Sequence, residues 1–511
     1  MALSQLTKVI IAAIVGLVIA VIGGILFPVS TEIIHSQVAE NIPLRNGSVG
    51  FKNWIDPPVP VYMKFRVFDL QNKDATLNGA RPKVVEKGPY VYREVRPKLD
   101  LAFHDNSTLS YRQTKAYVFV PELSAGTEND TFTTVNLALA TLAFQYQNLF
   151  SKLNFAERLI VDGILAVAGE KIFQKFTVYQ ILWGYPDPIL SKIGPILKRF
   201  GINVPDLVGI FAGQNGTDDG FYNIFTGVND LNKFNVIDTY RGNRSLPYWN
   251  SAYSNEIKGT DGTMWHPFID QSETLYVFSS DICRSIYATF DSKKQLKGIN
   301  LLRFVPPPDV FANVSFNPSN IGFCVPNANY CLGAGVLNIT RCKQGAPVIV
   351  SQPHFYQAAP EYINAIDGVH PNKLNHSTFI DVEPYTGAAM NAAKRLQINI
   401  HYKNYSGLDA MKKLPATIYP VLWLEESASL NDPSANQFKQ QLMVPLMIFQ
   451  WIKFGLIFLG LVIMMAAFMY GCVKGVFNRG SEDEEKVSLL KGEKNIQNGT
   501  IKDHNSSPVE V

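Results

Sequence analysis

The stretch VIIAAIVGLVIAVIGGILF at residues 9–27 decides how the rest of the chain is arranged. It carries no charge, and its length matches the roughly 20 residues that a helix needs to cross about 30 Å of hydrocarbon. A cleaved signal peptide has a shorter apolar region, so this run predicts a retained anchor. A second such run, FGLIFLGLVIMMAAFMYGC, occupies residues 454–472. Two spans predict an integral membrane protein with a large domain between them.

The residues beside the spans indicate their orientation. Trp451 and Lys453 precede the second span, where an indole lies in the interface and an ammonium can extend to water. Lys8 precedes the first span, and Lys474 and Arg479 follow the second. Basic flanks favour the cytosol, although three residues are a weak signal. We therefore expect both termini in the cytosol.

Glycosylation sequons support the same orientation. N-x-S/T sites without proline occur between the spans at Asn46, Asn106, Asn129, Asn215, Asn243, Asn313, Asn338, Asn375 and Asn404. Their spread predicts a glycosylated luminal or extracellular domain, and chance matches are the alternative. The expected divisions are a cytosolic segment 1–8, a span 9–27, an ectodomain 28–441, an interfacial segment with the second span 442–473, and a cytosolic tail 474–511.

The composition narrows the class of protein further. Charged residues make up 17% of the chain and the net charge is +3, so we expect no nucleic-acid partner. Four of the five cysteines cluster in the ectodomain, and Cys472 adjoins the second span. An even cluster outside the cytosol predicts two disulfides. A zinc site is the alternative, although no C-x-x-C pair is present.

Alternating apolar residues predict strands in both flanks of the ectodomain. In VYMKFRV at residues 61–67 and RLQINIHYK at 395–403, the apolar residues recur at every second position. This period is typical of strands that bury one face. Many short strands separated by turn sequences favour a barrel or a sandwich. With the helical segment described next, the expected fold class is α+β.

Residues 133–200 have a different pattern. TVNLALATLAFQYQNLF and NFAERLIVDGILAVAGEKIFQKF, at 134–150 and 154–176, have the length and composition of helices. Asn154 and Glu157 have the spacing of a capping box that begins the second helix. This helix is apolar around most of its circumference, so it is either buried or meets an apolar partner. Both interpretations stay open at the level of the residues.

Catalytic motifs are missing from the sequence. It contains no H-E-x-x-H, G-x-S-x-G, P-loop or G-x-G-x-x-G pattern, and its eight histidines are scattered. Its acids form no pair of the kind that glycoside hydrolases use. We therefore expect a protein that is not an enzyme and that holds no cofactor or catalytic metal, although a triad is defined by geometry rather than by sequence.

Several long motifs resemble the CD36 family, the class B scavenger receptors. They are EKGPYVYRE (86–94), ILWGYPDP (181–188), NGTDDGFY (215–222), SSDICRSIYATF (279–290), FCVPNANYCLGAGVLNITRCKQGAP (323–347), QPHFYQA (352–358), GVHPN (368–372) and AAKRLQINI (392–400). The resemblance implies an antiparallel β-barrel ectodomain topped by a helical apex, at about 133–200. It also implies an internal tunnel that carries lipid toward the membrane.

The same resemblance implies site residues. The disulfides it implies are Cys283–Cys342 and Cys324–Cys331. Where the fatty-acid receptors of the family have a third bridge, this chain has Ser254 and Gly322. The implied apical surface for lipids and lipoprotein particles includes Phe155, Leu159, Ile160, Ile164, Leu165, Val167, Lys171, Ile172, Phe173 and Lys175. For the two lysines, solvated positions on a helix face are the alternative.

The motifs divide between two branches of the family. One branch takes up fatty acids, and the other is lysosomal and carries a hydrolase that acid releases. Histidine suits such a release, but Phe155 and Phe176 stand where the carrier's histidines are expected. We therefore expect a lipid and lipoprotein receptor that passes fatty acid, sterol or cholesteryl ester through its ectodomain. The alternatives are a sorting receptor for a luminal protein cargo and a pattern-recognition or adhesion receptor.

The tail carries a sorting motif. In EDEEKVSLL at residues 482–490, Glu485, Leu489 and Leu490 match the acidic dileucine pattern [DE]-x-x-x-L-[LI], which clathrin adaptors bind. A solvated acidic linker is the alternative. Cys472 is a palmitoylation candidate or a plain transmembrane cysteine. The expected location is the plasma membrane together with endosomes and lysosomes.

Overall fold

The computed structural model describes residues 4–149, 152–168, 172–199, 205–402 and 413–475. The chain divides into two units. The first, which we call the helix unit, combines Met1–Gln37 with Gln437–Val511. The second is Val38–Asn436 and corresponds to the predicted ectodomain. The exact domain boundaries drawn from the sequence stay a prediction.

The elements are numbered in chain order. The helices are α1 (Gln5–Asn41), α2 (Val49–Ile55), α3 (Lys73–Leu77), α4 (Leu137–Leu149), α5 (Phe155–Ala168), α6 (Val178–Trp183), α7 (Pro188–Lys198), α8 (Ala252–Asn255), α9 (Pro360–Asn364), α10 (Lys373–His376), α11 (Asp432–Phe438) and α12 (Val444–Val473). The strands are β1 (Val61–Leu70), β2 (Val84–Val95), β3 (Lys98–His104), β4 (Thr108–Phe119), β5 (Thr131–Val135), β6 (Phe173–Thr177), β7 (Thr217–Phe225), β8 (Ile237–Tyr240), β9 (Thr274–Ser279), β10 (Arg284–Leu296), β11 (Ile299–Val305), β12 (Val336–Asn338), β13 (Val348–Ser351), β14 (Phe379–Val382), β15 (Ala389–Tyr402) and β16 (Thr417–Ser429).

One large antiparallel sheet forms the ectodomain. Its hydrogen-bonded order is β8-β7-β4-β2-β1-β16-β15-β14-β11-β10-β9, with β3 beside β4 and β13 between β12 and β15. The first and last strands are neighbours, and their register pairs Val61 with Ala428 and Phe65 with Leu424. The strands β5 and β6 form a separate two-stranded sheet. The fold is therefore α+β with an antiparallel barrel-like sheet, as the sequence predicts.

The segment after Ile257 nearly closes this sheet into a barrel. On one side, the Ile237 amide of β8 donates a 2.9 Å hydrogen bond to the Gly259 carbonyl. On the other side, the Phe278 amide of β9 donates a 2.9 Å bond to the Thr260 carbonyl. The rings of Tyr240 and Phe278 also lie 5.1 Å apart. The two edge strands are thus bridged by one short segment, which leaves few edge groups unpaired.

The predicted alternation holds in β1 and fails in β15. In β1, Phe65 and Val67 are fully buried, as the pattern predicts. In β15 the polar residues Gln397 and Asn399 are fully buried too. The Gln397 amide donates to Asn399 Oδ1 at 2.8 Å, and the Asn399 amide donates to the Ile349 carbonyl at 3.1 Å. Because their polar atoms are paired, both faces of this strand can be buried.

Partly buried ionic groups connect several strands of the sheet. Lys394 contacts Asp281, and its ammonium lies 3.2 Å from Glu426. Arg96 contacts the same Glu426. Although burial alone would raise it, the ammonium groups of Lys394 and Lys115 hold the pKa of Asp281 well below its usual range. Opposite charges thus compensate one another, and removing one of them would weaken the compensation of its partly buried partners.

The clustered cysteines form two disulfides in the structure, Cys283–Cys342 and Cys324–Cys331. All four sulfurs are used in these bonds, which leaves no thiolate for the zinc alternative. The two positions of the missing third bridge are neighbours. A Cβ built on Gly322 would lie 2.3 Å from Ser254 Oγ.

The helices α1 and α12 of the helix unit are apolar and long enough to cross a membrane. They approach closely at two glycines, where a Cβ on Gly460 would lie 2.4 Å from the Gly16 carbonyl oxygen. Lys453 does not extend to water as the sequence suggests, because its side chain is buried between the helices. Its ammonium donates a 2.9 Å hydrogen bond to Ser30 Oγ and lies 4.5 Å from the centre of the Phe27 ring.

The closure of the barrel can be tested at Gly259. This residue has a φ of +93°, and a Cβ there would lie 2.1 Å from the Tyr276 carbonyl oxygen. Gly259→Ala should therefore lower the free energy of unfolding by more than about 2 kcal/mol, from steric overlap added to backbone strain. Thermal unfolding of the detergent-solubilised full chain measures the loss.

Gly242→Ala is the matched control. Its φ is +76°, but a Cβ there meets nothing within 4 Å. This variant should lose only about 1 kcal/mol of unfolding free energy, from the strain of placing alanine at a positive φ. Equal losses in the two variants would show that residues 257–262 do not hold the barrel edges together.

Candidate functional site

A two-stranded antiparallel sheet and four helices form the predicted apex. The strands β5 and β6 pair from Thr131↔Thr177 to Val135↔Phe173. The sequence predicts one helix over 154–176, but α5 ends at Ala168 and the rest of the described segment is the strand β6. The buried rings of Phe173 and Phe176 explain the difference, because the strand places them in the ectodomain core. Tertiary packing has outweighed local helix propensity here.

The helix α5 begins at the predicted capping box. The Glu157 amide donates to Asn154 Oδ1 at 2.9 Å, and the Asn154 amide donates to Glu157 Oε2 at 3.0 Å. The Arg199 guanidinium, at the end of α7, contacts the other carboxylate oxygen of Glu157. Sequence reasoning identified the capping box but missed Arg199, which lies far along the chain. Together these contacts anchor the start of α5 on the neighbouring helix.

One face of α5 is apolar and open to solvent. Phe155 is 81% exposed, Leu159 64% and Ile160 51%. Their spacing of four and five residues places them on one side of the helix. On the opposite side Val161 is buried in the core. We call the set Phe155, Leu159 and Ile160 the apical face.

The structure separates the other predicted apical residues. Ile164 is partly buried against the core. Ile172 and Phe173 are fully buried, so they lie in the core beneath the helix and not on an exposed surface. Lys175 on β6 is exposed. Lys171 and the side chains of Leu165 and Val167 lie outside the described residues.

The charges near the apical face are mainly positive. Exposed lysines occur beside it at Lys152 and on the adjacent α7 at Lys192 and Lys198. Of the nearby acids, Glu157 contacts the Arg199 guanidinium, and Asp162 accepts a 2.7 Å hydrogen bond from the uncharged Tyr146 hydroxyl. The apex therefore combines exposed apolar side chains with an excess of cations. Sequence analysis missed the lysines of α7, whose helix is marked by the apolar spacing of residues 190, 193 and 197.

The predicted modification sites fall into three groups. Exposed sequons are Asn46, Asn106, Asn129, Asn215, Asn243 and Asn375, and half-buried ones are Asn313 and Asn338. Asn404 lies outside the described residues, as do Glu485, Leu489 and Leu490 of the tail. Cys472 is exposed and is not in a disulfide. Within the described ranges, no cluster of three or more metal-ligating side chains is found.

Two terminal helices able to span a membrane, an antiparallel ectodomain between them and an exposed apical face define a class of protein. It is the class of two-span membrane proteins.

Comparison with known proteins makes the assignment specific. The family model described as CD36 family matches residues 14–471. Lysosome membrane protein 2 of Homo sapiens is 39% identical over 417 residues, which cover 81% of this chain and 84% of that protein. Scavenger receptor class B member 1 of Sus scrofa is 34% identical over 458 residues, with 89% and 88% covered. The chain belongs to the CD36 family, and its relatives support a class B scavenger receptor role.

The anchoring of α5 can be tested at Glu157. Glu157→Ala removes one arm of the capping box and the partner of Arg199, so the first turn of α5 should fray. We expect a local loss of about 1–2 kcal/mol, seen as faster amide exchange over residues 155–164. Glu122→Ala, at an exposed carboxylate in the turn Pro121–Leu123, is the control. Unchanged exchange in Glu157→Ala would contradict the anchoring role.

Proposed function

We propose that this protein is a receptor for lipids and lipid-carrying particles that engages them through the apical face. The supporting observation is the exposure of Phe155, Leu159 and Ile160 on a helix whose opposite side is buried. Apolar surface of this kind is stabilised when a partner covers it, by about 25 cal/mol per Å². Grouped exposed apolar residues commonly mark a binding surface.

The charges of the apex favour particular partners. Lys152 just before α5 and Lys192 and Lys198 on α7 are exposed cations, while Glu157 is paired with Arg199. Anionic lipid surfaces and acidic amphipathic helices combine apolar and negative groups, so they complement both features. Attraction of this kind weakens as salt is added.

The transfer step that we propose is physical rather than chemical. A bound lipid, whether a fatty acid, a sterol or a cholesteryl ester, would pass through the ectodomain toward the membrane. Exposing its chain to water costs about 0.8 kcal/mol per CH₂ group, so a protected path removes most of the barrier. No covalent bond changes, and the lipid gradient sets the direction.

The proposed topology places both termini in the cytosol and the sequons on the other side. Glycans at the exposed sequons would then mark the ectodomain, and the tail motif would be available to clathrin adaptors. The protein would cycle between the plasma membrane and endosomes or lysosomes. The similarity both to a lysosome membrane protein and to a class B scavenger receptor supports this dual location.

Charge substitution tests the apical face. Leu159→Asp together with Ile160→Asp should lower lipoprotein binding and lipid uptake at least tenfold, because docking would desolvate two carboxylates. The measurement is uptake of fluorescent lipid from lipoprotein by cells, normalised to the amount of receptor at the surface.

The control for this experiment is Phe316→Asp. Phe316 is 76% exposed, comparable with Phe155, and lies in a different part of the ectodomain. It should leave uptake unchanged. If the apical double variant takes up lipid as the wild type does at equal surface levels, entry through the apical face is excluded.

A second candidate function is sorting of a luminal protein, which the 39% identity to human lysosome membrane protein 2 favours. The same apical face would then bind a protein instead of a lipid particle. Affinity purification of the receptor at pH 7 and pH 5 separates the two functions. A stoichiometric protein partner released at pH 5 supports sorting, whereas bound lipid alone supports transfer.

The tail motif is tested by Leu489→Ala with Leu490→Ala. If adaptors bind these leucines, the variant should move from internal membranes to the cell surface, as measured by surface biotinylation with lysosomal co-staining. Lys491→Ala, next to the motif, is the control. Equal surface fractions in the wild type and the double variant would identify the stretch as a solvated linker.

A further inference from the structure

Two buried histidines face each other beside Glu86 of β2 and Trp423 of β16. The rings of His354 and His376 are stacked, with centroids 4.4 Å apart and planes inclined by 12°. Both side chains are buried. Neither belongs to the apical face, and neither was singled out by the sequence. The stack buries two side chains of the type whose unperturbed pKa, about 6.5, lies nearest to physiological pH.

Hydrogen bonds determine the protonation state of both rings. His354 Nδ1 accepts the backbone N–H of His370 at 3.0 Å, and His376 Nδ1 accepts that of Asn372 at 2.9 Å. A nitrogen that accepts a hydrogen bond carries no proton, so both rings are neutral with the proton on Nε2. His354 donates that Nε2 proton to Glu86 across 2.6 Å. Protonation of either ring would place an N–H group against a backbone N–H group.

Both backbone donors belong to one segment, residues 368–376, which we call the latch segment. It contains the motif GVHPN and the short helix α10. The Asn372 side chain caps α10, and the Asn372 carbonyl accepts from the His376 amide at 2.9 Å. His354 therefore links the latch segment to Glu86 of β2 through the His370 amide, whereas the bond between the Asn372 amide and His376 lies within the segment. Opening of the segment would break the His354–His370 bond and the ring stack, and it would bring His376 into water.

The charged groups around the pair come from four strands. Glu86 on β2 accepts from His354 and, at 2.8 Å, from the Trp423 indole. Arg66 and Lys64 project from β1, Arg395 from β15 and Glu425 from β16. Lys64 and Arg395 both contact Glu425, so that carboxylate is already compensated. His370 is the remaining titratable group, within the latch segment itself.

The surroundings oppose a proton on His376. Burial is the main cause, the adjacent His354 adds to it, and together they lower the pKa of His376 to about 4. Glu86 acts in the opposite direction, and Arg395 and Arg66 act in the same direction as burial. A proton therefore binds better when the imidazole is released into water, where its pKa is about 6.5.

We propose that the stacked pair His354–His376 is an acid-operated latch, which holds residues 368–376 on the barrel at neutral pH and releases them in an acidic compartment. This goes beyond the binding function of the apical face. Linkage gives its direction, because protons favour the released form as the pH falls from 6.5 toward 4. Between pH 7.4 and pH 5.0 the opening equilibrium should rise about 25-fold for a pKa of about 4 in the closed form.

Amide hydrogen exchange of the full chain in detergent micelles tests the latch. We expect the protection of peptides from residues 368–376 to fall about 25-fold between pH 7.4 and pH 5.0, after correction for the intrinsic exchange rate. His354→Gln and His376→Gln each replace an imidazole by an amide that can still accept a hydrogen bond but does not titrate. Each variant should show a smaller fall.

The matched control is His104→Gln, at an exposed imidazole that bonds to Ser110. It should keep the full response of the wild type. Equal protection of the wild-type segment at the two pH values would overturn the latch, as would an undiminished fall in both glutamine variants. If the variants do not fold, the wild-type titration decides alone. A loss that starts only below pH 4 would point to carboxylates and refute the proposal.

Discussion

The pairing of β1 with β16 is the interaction on which the rest of the ectodomain depends. These strands are the first and last of the large sheet, and their register joins Val61 to Ala428. The segments that lead to the two membrane helices therefore leave the sheet at one place. Every other strand of the sheet lies between this pair in sequence. The barrel cannot be complete until the whole ectodomain has been synthesised, which is the slow kind of folding that non-local contacts impose.

Features that depend on near neighbours could be predicted from the sequence. The two apolar helices, the alternation in β1 and the capping box of Asn154 and Glu157 all follow from residues a few positions apart. Features that depend on distant partners could not. The strand β6 forms because Thr131–Val135 is beside it, and Gln397 is buried because the His354 amide and Asn399 pair with it. The stacked histidines could not be predicted for the same reason, because His354 and His376 are 22 positions apart and only the fold brings them together.

The apical site illustrates the same division. The apolar composition of α5 predicted either a buried helix or a helix that meets an apolar partner. In the structure one side of the helix is buried and the other side is exposed. Val161 is in the core while Phe155 is exposed, and composition alone does not assign residues to one side. The family resemblance implied an apical surface that includes Ile172 and Phe173, but both residues belong to the core. A helix held by a capping box and by Arg199 can keep an apolar face open to water because its other side is stabilised by packing.

The burial of Lys453 between α1 and α12 has a consequence for how the protein is inserted into the membrane. Lys453 is covered by Ser30 and Phe27, which belong to a helix synthesised more than 400 residues earlier. Alone in a bilayer, α12 would lack these contacts, and its ammonium group would have to extend to the interface. In the topology that we propose, α1 would enter the membrane first and would have to stay near the insertion site while the ectodomain is translocated. The last helix, α12, would then enter beside α1, where Ser30 already offers Lys453 a hydrogen-bond acceptor. Insertion of the two helices would therefore be ordered from the first span to the second.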